Sequence, residues 1–149
     1  MIQSDVSAQI KEIYQKITQL FQHKIDEYGL NFRLVFLTIK IQNNPNASQK
    51  ELAEQVKITQ GAMSGAIKKL IKLKMIEQIP LESDSRYNRL VVTNLGETII
   101  NDYKDFVHSQ YQQMFDGFTE EELFELHEVF TKLNNNLDNM NKNIDFKSK

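Results

Sequence analysis

A mainly α-helical fold carrying one small β-hairpin is what this sequence predicts, on three observations. Apolar residues recur at steps of three and four along most of the 149-residue chain. Two prolines and five glycines are too few for a loop-rich β architecture. A single stretch, residues 75–94, holds two short segments with β-branched or apolar residues around a polar loop.

The elements follow in order. From Val6 to Tyr28 the residues Val6, Ile10, Ile13, Tyr14, Ile17, Leu20, Phe21, Ile25 and Tyr28 keep helical period, and Gly29 ends the helix. Asn31 caps a second helix, "FRLVFLTIKIQNN", apolar on nearly every side apart from Arg33 and Lys40, hence central and buried, and breaking before Pro45. Ser48 and Glu51 have the spacing of a capping box and open a short helix through Gln55. Thr59 or Gln60 starts another that runs to about Leu73, with only Val56–Ile58 between the two. Next, "MIEQIPLESDSRYNRLVVTN" reads as a hairpin whose polar loop spans Glu82 to Asn88, with Pro80 marking an edge strand. Thr93 caps a long helix through Phe115, and Thr119 with Glu122 repeats the capping box before a second one through Met140. The tail, residues 139–149, lacks periodicity and is expected to be unstructured. The chain is expected to form one domain over 1–149, with a central lobe at about 31–95 and flanking helices at about 4–28 and 96–138.

Composition excludes several functions. Without cysteine there is no disulfide, thiolate nucleophile or cysteine-ligated metal. No run of about 18 apolar residues and no secretory n- and h-region are readable, so no membrane partner and a cytoplasmic location are expected. No catalytic motif accompanies His23, His108 and His127, and the expectation is no enzyme and no cofactor. His23 with Glu27, and Asp105 with His108, could each put two ligands on one helical face, but no third ligand is readable and no metal site is assigned.

The informative stretch lies between Val56 and Ile76, which holds five lysines and no acid in a chain of net charge −2. A short helix, a three-residue turn and a lysine-rich helix form a helix-turn-helix, the arrangement that lays its second helix in the major groove of DNA. On that helix Met63, Ala66, Ile67 and Leu70 share one face and should pack on Leu52, Ala53 and Val56. Gln60, Gly61, Ser64, Gly65 and Lys68 fall on the other. Gln60 can pair with adenine, Ser64 can bond a base or phosphate, and Lys68 can neutralise phosphate. The bland alternative is that Lys68, Lys69, Lys72 and Lys74 form a solvated face. Two features favour DNA. Arg86 and Arg89, two of only three arginines, lie in or beside the hairpin, where a wing would enter a minor groove. The acids lie elsewhere, with six carboxylates and no lysine or arginine in "DGFTEEELFELHE".

With "LAEQVKITQGAMSGAIKKLIKLKMIE", "SDSR" and "LVVTNLG" in hand, the chain resembles the winged helix-turn-helix of the multiple-antibiotic-resistance regulator (MarR) family over about residues 6–137. The resemblance implies a homodimeric repressor that binds pseudo-palindromic duplex operators and is relieved by a small-molecule effector. By position, Asp84 and Arg86 resemble the wing aspartate and arginine, and Thr93 and Gly96 the T-x-x-G that ends the strand. The chain departs from the pattern at Gly65, where many members carry arginine, at Ser85, which replaces a wing arginine, and at Lys74, which stands at a helix-ending glycine. The expected DNA-contacting set is Ser48, Gln49, Thr59, Gln60, Gly61, Ser64, Gly65, Lys68 and Lys69 with Asp84, Ser85, Arg86 and Arg89. The expected dimer stripe is Ile10, Ile13 and Ile17 with Leu123, Leu126, Phe130, Leu133 and Leu137. Phe21, Tyr28, Phe32, Phe36, Tyr103, Phe106 and Tyr111 could line an effector pocket or simply pack. Alternative functions are a winged-helix protein-interaction module without DNA binding, or a metal-responsive regulator.

Overall fold

The structure, a computed structural model, describes residues 1–81 and 84–148; the side chains of residues 81–88 and 145–148 lie outside that description. Among the described residues six helices and one hairpin occur in the order α1 (Ile2–Glu27), α2 (Phe32–Asn43), α3 (Gln49–Val56), α4 (Gln60–Lys72), β1 (Ile76–Leu81), β2 (Asp84–Val92), α5 (Asn94–Met114) and α6 (Glu120–Ser148). The chain divides into two compact units, Met1–His108 and Ser109–Lys149.

In the first unit α2 is the hub, touching α1, α3, α4 and β2. It buries Leu34, Val35, Leu37 and Ile41 against Leu52, Met63, Ile67, Leu70, Met75, Ile76, Leu90 and Ile100. Each such side chain contributes on the order of 1.5–3 kcal/mol through the apolar surface it removes from water. The predicted packing of Met63, Ala66, Ile67 and Leu70 on Leu52 and Ala53 is present, with Val56 at its margin. Thr38 is the polar residue buried among them, and its hydroxyl donates to the Leu34 carbonyl at 2.7 Å, so burial leaves it satisfied. One face of α2 is more open than its composition suggests: Phe32, Arg33 and Phe36 are exposed.

Caps set the helix starts. The Asn31 side chain accepts from Leu34 N, Ser48 Oγ from Glu51 N, and Thr59 Oγ1 from Ala62 N. The helix ends share one device. After α1, α3 and α4 a residue in the left-handed region lets the next amide reach back five residues: Leu30 to Ile25, Ile58 to Ala53, and Met75 to Leu70. Glycine fills that position only after α1; Lys57 (φ 57°) and Lys74 (φ 62°) fill it after α3 and α4. A side chain there costs about 1–2 kcal/mol relative to glycine geometry.

β1 and β2 pair antiparallel from Ile76↔Val92 to Pro80↔Asn88, then shift so that Leu81 faces Asp84. The wing therefore differs from its sequence reading. Residues 84–88, expected in the loop, belong to β2, and the register shift absorbs 85–87 as an irregularity in the strand. Glu82 and Ser83, the other part of that loop, lie outside the described residues.

The second unit contains the end of α5, a turn and α6. Gly117 (φ 84°) makes the turn, and Phe115 and Phe118 meet edge to face at 5.8 Å between centroids. Thr119 and Glu122 form a complete capping box: Thr119 Oγ1 accepts from Glu122 N, and Glu122 Oε1 accepts from Thr119 N. α6 then runs to Ser148, through the segment expected to be an unstructured tail. The spacing explains the difference, because Met140 and Ile144 continue at steps of three and four beyond Leu133 and Leu137.

Candidate nucleic-acid interface

The α3–α4 pair presents the predicted stripe. Gln60, Gly61, Gly65, Lys68 and Lys69 are exposed and Ser64 is half-buried beside them, while the opposite face of α4 is closed in the core. Ser48 and Thr59 stand exposed at the starts of the two helices, engaged as caps. Among the described residues, none of Lys57, Lys68, Lys69, Lys72 and Lys74 belongs to an ion pair; the pairs present are Lys16–Glu12, Lys24–Glu27 and Lys24–Asp102. All five are exposed.

Neither glycine on α4 is there for space. A Cβ on Gly65 would meet nothing within 4 Å, and one on Gly61 only Thr59 Oγ1 at 4.0 Å. Inside a helix each glycine costs roughly 0.5–1 kcal/mol relative to alanine. The fold does not need them, yet they leave the outer face of α4 as bare backbone on either side of Ser64. Gln49 reaches across from α3, and its Nε2 donates to Ser64 Oγ at 3.2 Å. The sequence reading placed both residues at the interface but not in contact, because no local pattern links residues 15 apart.

The T-x-x-G motif has a structural explanation. Thr93 Oγ1 accepts from Gly96 N at 3.0 Å, capping α5, and donates to the Lys74 carbonyl at 2.6 Å. Its backbone N–H donates to the Met75 carbonyl at 2.9 Å. A Cβ on Gly96 would collide with that same carbonyl and lie 2.7 Å from Val92 Cγ1. Glycine is required because the backbone leaving the lysine-rich helix crosses the first turn of α5, and this clasp fixes the end of α4. On the wing, Arg89 pairs with Ile79 and is half-buried. The side chains of Asp84, Ser85 and Arg86 lie outside the described residues.

The aromatic residues separate. Phe32, Phe36 and Tyr103 line a cleft of about 530 Å³ with Ile39, Val56 and Ile58, whose polar margin carries Arg33 and Lys57. Phe21 instead packs edge-on against Phe106 at 6.1 Å. The Tyr28 hydroxyl donates to the Asp102 carboxylate, joining α1 to α5, with Lys24 Nζ 3.4 Å from the same oxygen and 5.5 Å above the Tyr28 ring. Burial, then the Asp102 bond, pushes the Tyr28 hydroxyl up to about 12, and that bond holds Asp102 below the ordinary carboxylate value. Tyr111 belongs to the second unit and is exposed. Among the described residues no three histidine, aspartate or glutamate side chains come together as metal ligands. No described helix is long and apolar enough to cross a membrane.

Of the stripe expected at a dimer interface, Ile10, Ile13, Phe130, Leu133 and Leu137 are exposed, and Ile17, Leu123 and Leu126 are half-buried.

A capped helix-turn-helix followed by an antiparallel hairpin, with its basic face open, defines a winged helix-turn-helix protein. Residues 41–86 match the model of the MarR family. HTH-type transcriptional regulator BilQ of Clostridium symbiosum is 26% identical over 119 residues, covering 80% of this chain and 83% of that protein. HTH-type transcriptional regulator SarZ of Staphylococcus epidermidis is 28% identical over 112 residues, covering 75% and 72%. YusO of Bacillus subtilis has the same fold with a TM-score of 0.79 at 18% identity, over 90% of this chain and 95% of that one. FabT of Streptococcus pneumoniae, whose structure is a complex with DNA, gives a TM-score of 0.77 at 19% identity, over 92% and 98%. The solved structures share the fold of this chain, and within residues 41–86 the chain is similar to the MarR family.

Proposed function

We propose that the protein is a homodimeric, sequence-specific DNA-binding repressor that occupies a pseudo-palindromic duplex operator and is released by a small-molecule effector. The observation that carries the DNA reading is the outer face of α4, where glycine backbone, Gln60, Ser64, Lys68 and Lys69 lie together in a stretch, Val56 to Ile76, that holds five lysines and no acid. A helix with small residues outward can approach base edges, and its lysines hold it on phosphates. Dimerisation is supported by the apolar stripe of α6, which its own chain leaves exposed. The Phe32–Phe36–Tyr103 cleft supports an effector, since its volume falls in the range of small-molecule sites. Because the α3–α4 turn forms one wall, an occupant would bear on the helix pair that reads DNA.

Selection from a random duplex pool, followed by binding isotherms at several salt concentrations, tests the reading. Lys68→Ala should weaken all duplexes alike and reduce the salt slope by about one unit per subunit. Gln60→Ala should narrow the difference between operator and scrambled duplex while leaving non-specific binding unchanged. If the wild-type protein enriches no sequence and its binding is independent of salt, the exposed face serves protein contact instead.

A further inference from the structure

Ser64 differs from the helical hydroxyls of Ser7, Thr38, Thr98 and Thr131, and shares with Ser109 an oxygen that accepts from a glutamine amide. Ser7, Thr38, Thr98 and Thr131 each donate to the carbonyl four residues back, so their protons are spent inside their own helices. Ser64 donates to nothing among the described residues; instead its oxygen accepts from Gln49 Nε2 at 3.2 Å. Glycines at 61 and 65 flank it with open space, so a short side chain can meet a base edge there.

We infer that Gln49 sets the hydrogen-bonding sense of Ser64, making it a donor toward DNA and so a determinant of which base the α4 face accepts. A hydroxyl has one proton and two lone pairs. With one lone pair engaged by the Gln49 amide, the proton and the second lone pair are left to turn outward, and the proton needs an acceptor. In the major groove guanine offers N7 and O6, adenine N7 and thymine O4, whereas cytosine presents only its N4 amino donor. Cytosine could bond only the remaining lone pair and would leave the Ser64 proton without an acceptor, so Ser64 disfavours it at the position it meets. Gln49 is a positioning residue here, acting through Ser64, and the inference rests on the DNA-binding reading above.

The experiment replaces Gln49 by glutamate. As the first residue of α3, position 49 suits a carboxylate, which the helix N-terminus stabilises. A carboxylate can only accept, so it would take the Ser64 proton and leave the oxygen facing DNA as an acceptor, matched to cytosine N4 or adenine N6. Binding is measured on operators selected by the wild-type protein, with all four bases tried at each half-site position, for wild type, Ser64→Ala, Gln49→Glu and the shape-conserving Gln49→Met. Wild type should discriminate against cytosine at one position by about tenfold, the worth of one hydrogen bond. Ser64→Ala should abolish that discrimination, Gln49→Met should shrink it, and Gln49→Glu should shift preference toward cytosine and adenine at that position alone. The added negative charge would lower affinity for every duplex equally, so it cannot imitate this change of ranking. An unchanged base ranking in both Gln49 variants overturns the inference, as does a Ser64→Ala protein that loses affinity uniformly, which would make Ser64 a phosphate contact. A wild-type protein that selects no duplex overturns the DNA-binding reading itself, and is told apart because it appears before any variant is compared.

Discussion

α4 and α6 each carry an apolar stripe of helical period, yet only one of them is buried. On α4, Met63, Ala66, Ile67 and Leu70 are at most 8% exposed, whereas on α6 Phe130, Leu133, Leu137 and Met140 keep 37–59% of their surface open. The difference lies in the shape of the stripe. α4 places apolar residues at steps of three, one and three, a broad patch that can be surrounded by α2, α3 and the hairpin. α6 places Leu123, Leu126, Phe130, Leu133, Leu137, Met140 and Ile144 at strictly alternating steps of three and four, a narrow seam of period 3.5 that suits one other helix. A broad patch is closed over by several elements, whereas a narrow seam can be covered by a single helix. The flanks are uncharged there: Asn134, Asn136, Asn141 and Asn143 border the lower part of the seam.

Truncating one member of each stripe is the most direct way to break this comparison. Leu70→Ala, in a site with no exposed surface, should cost about 2–5 kcal/mol at any protein concentration. Leu133→Ala should cost little in dilute protein and lower the melting temperature mainly where wild-type melting depends on concentration. Urea and thermal unfolding over a hundredfold range of concentration would show this, and equal, concentration-independent losses would mean that α6 is buried by its own chain.

Gly96→Ala sharpens the picture of the first unit, since a single added methyl strikes the Met75 backbone where no side chain can yield. A loss of about 3 kcal/mol is expected in urea unfolding. Gly65→Ala, with open space around it, should instead gain about 0.5–1 kcal/mol in the same assay. Equal effects at the two positions would remove the distinction between a glycine the fold requires and one it merely tolerates.

Smaller is the effect of the left-handed lysines. Replacing Lys74 by glycine should stabilise the protein by about 0.5 kcal/mol, the relief of a side chain at φ 62° less the added freedom of the unfolded chain. A loss on chemical unfolding would mean that the Lys74 side chain packs usefully against its surroundings.

The smallest effect concerns pH, through the Tyr28–Asp102 bond. The carboxylate value is lowered in the folded state, so its contribution is present above the ordinary aspartate range and lost as pH falls through the folded value. Tyrosine is raised from about 10 to about 12, so its contribution is present below the ordinary value and lost as pH rises through the folded one. The melting temperature of wild type should exceed that of Tyr28→Phe most between these limits, and the two curves should converge at either extreme. A difference that does not vary with pH would show that the ring, rather than the bond, joins α1 to α5.

Much of this was legible because it is local. Asn31, Ser48, Thr93 and Thr119 cap the helices they were expected to cap, and Thr59 rather than Gln60 caps α4, since a hydroxyl or amide two or three residues ahead of an amide needs no distant help. The hairpin was found but its tip was misjudged, because polar residues at 84–88 read as loop while strand pairing with a register shift accommodates them. The end of α6 was missed for a related reason: asparagines lower helix propensity, and the two apolar residues that carry the period, Met140 and Ile144, are sparse among them.

By itself the sequence determined the helices, their caps, the buried face of α4 and the lysine-rich face opposite, because these depend on spacings of three and four residues along one chain. Only the tertiary structure decided that Gln49 meets Ser64 across 15 residues, that Thr93 closes on the Lys74 carbonyl across 19, and that Tyr28 bonds Asp102 across 74. Hydrogen bonds of that kind form where packing brings two elements within about 3 Å, and no periodicity in either element encodes the distance between them.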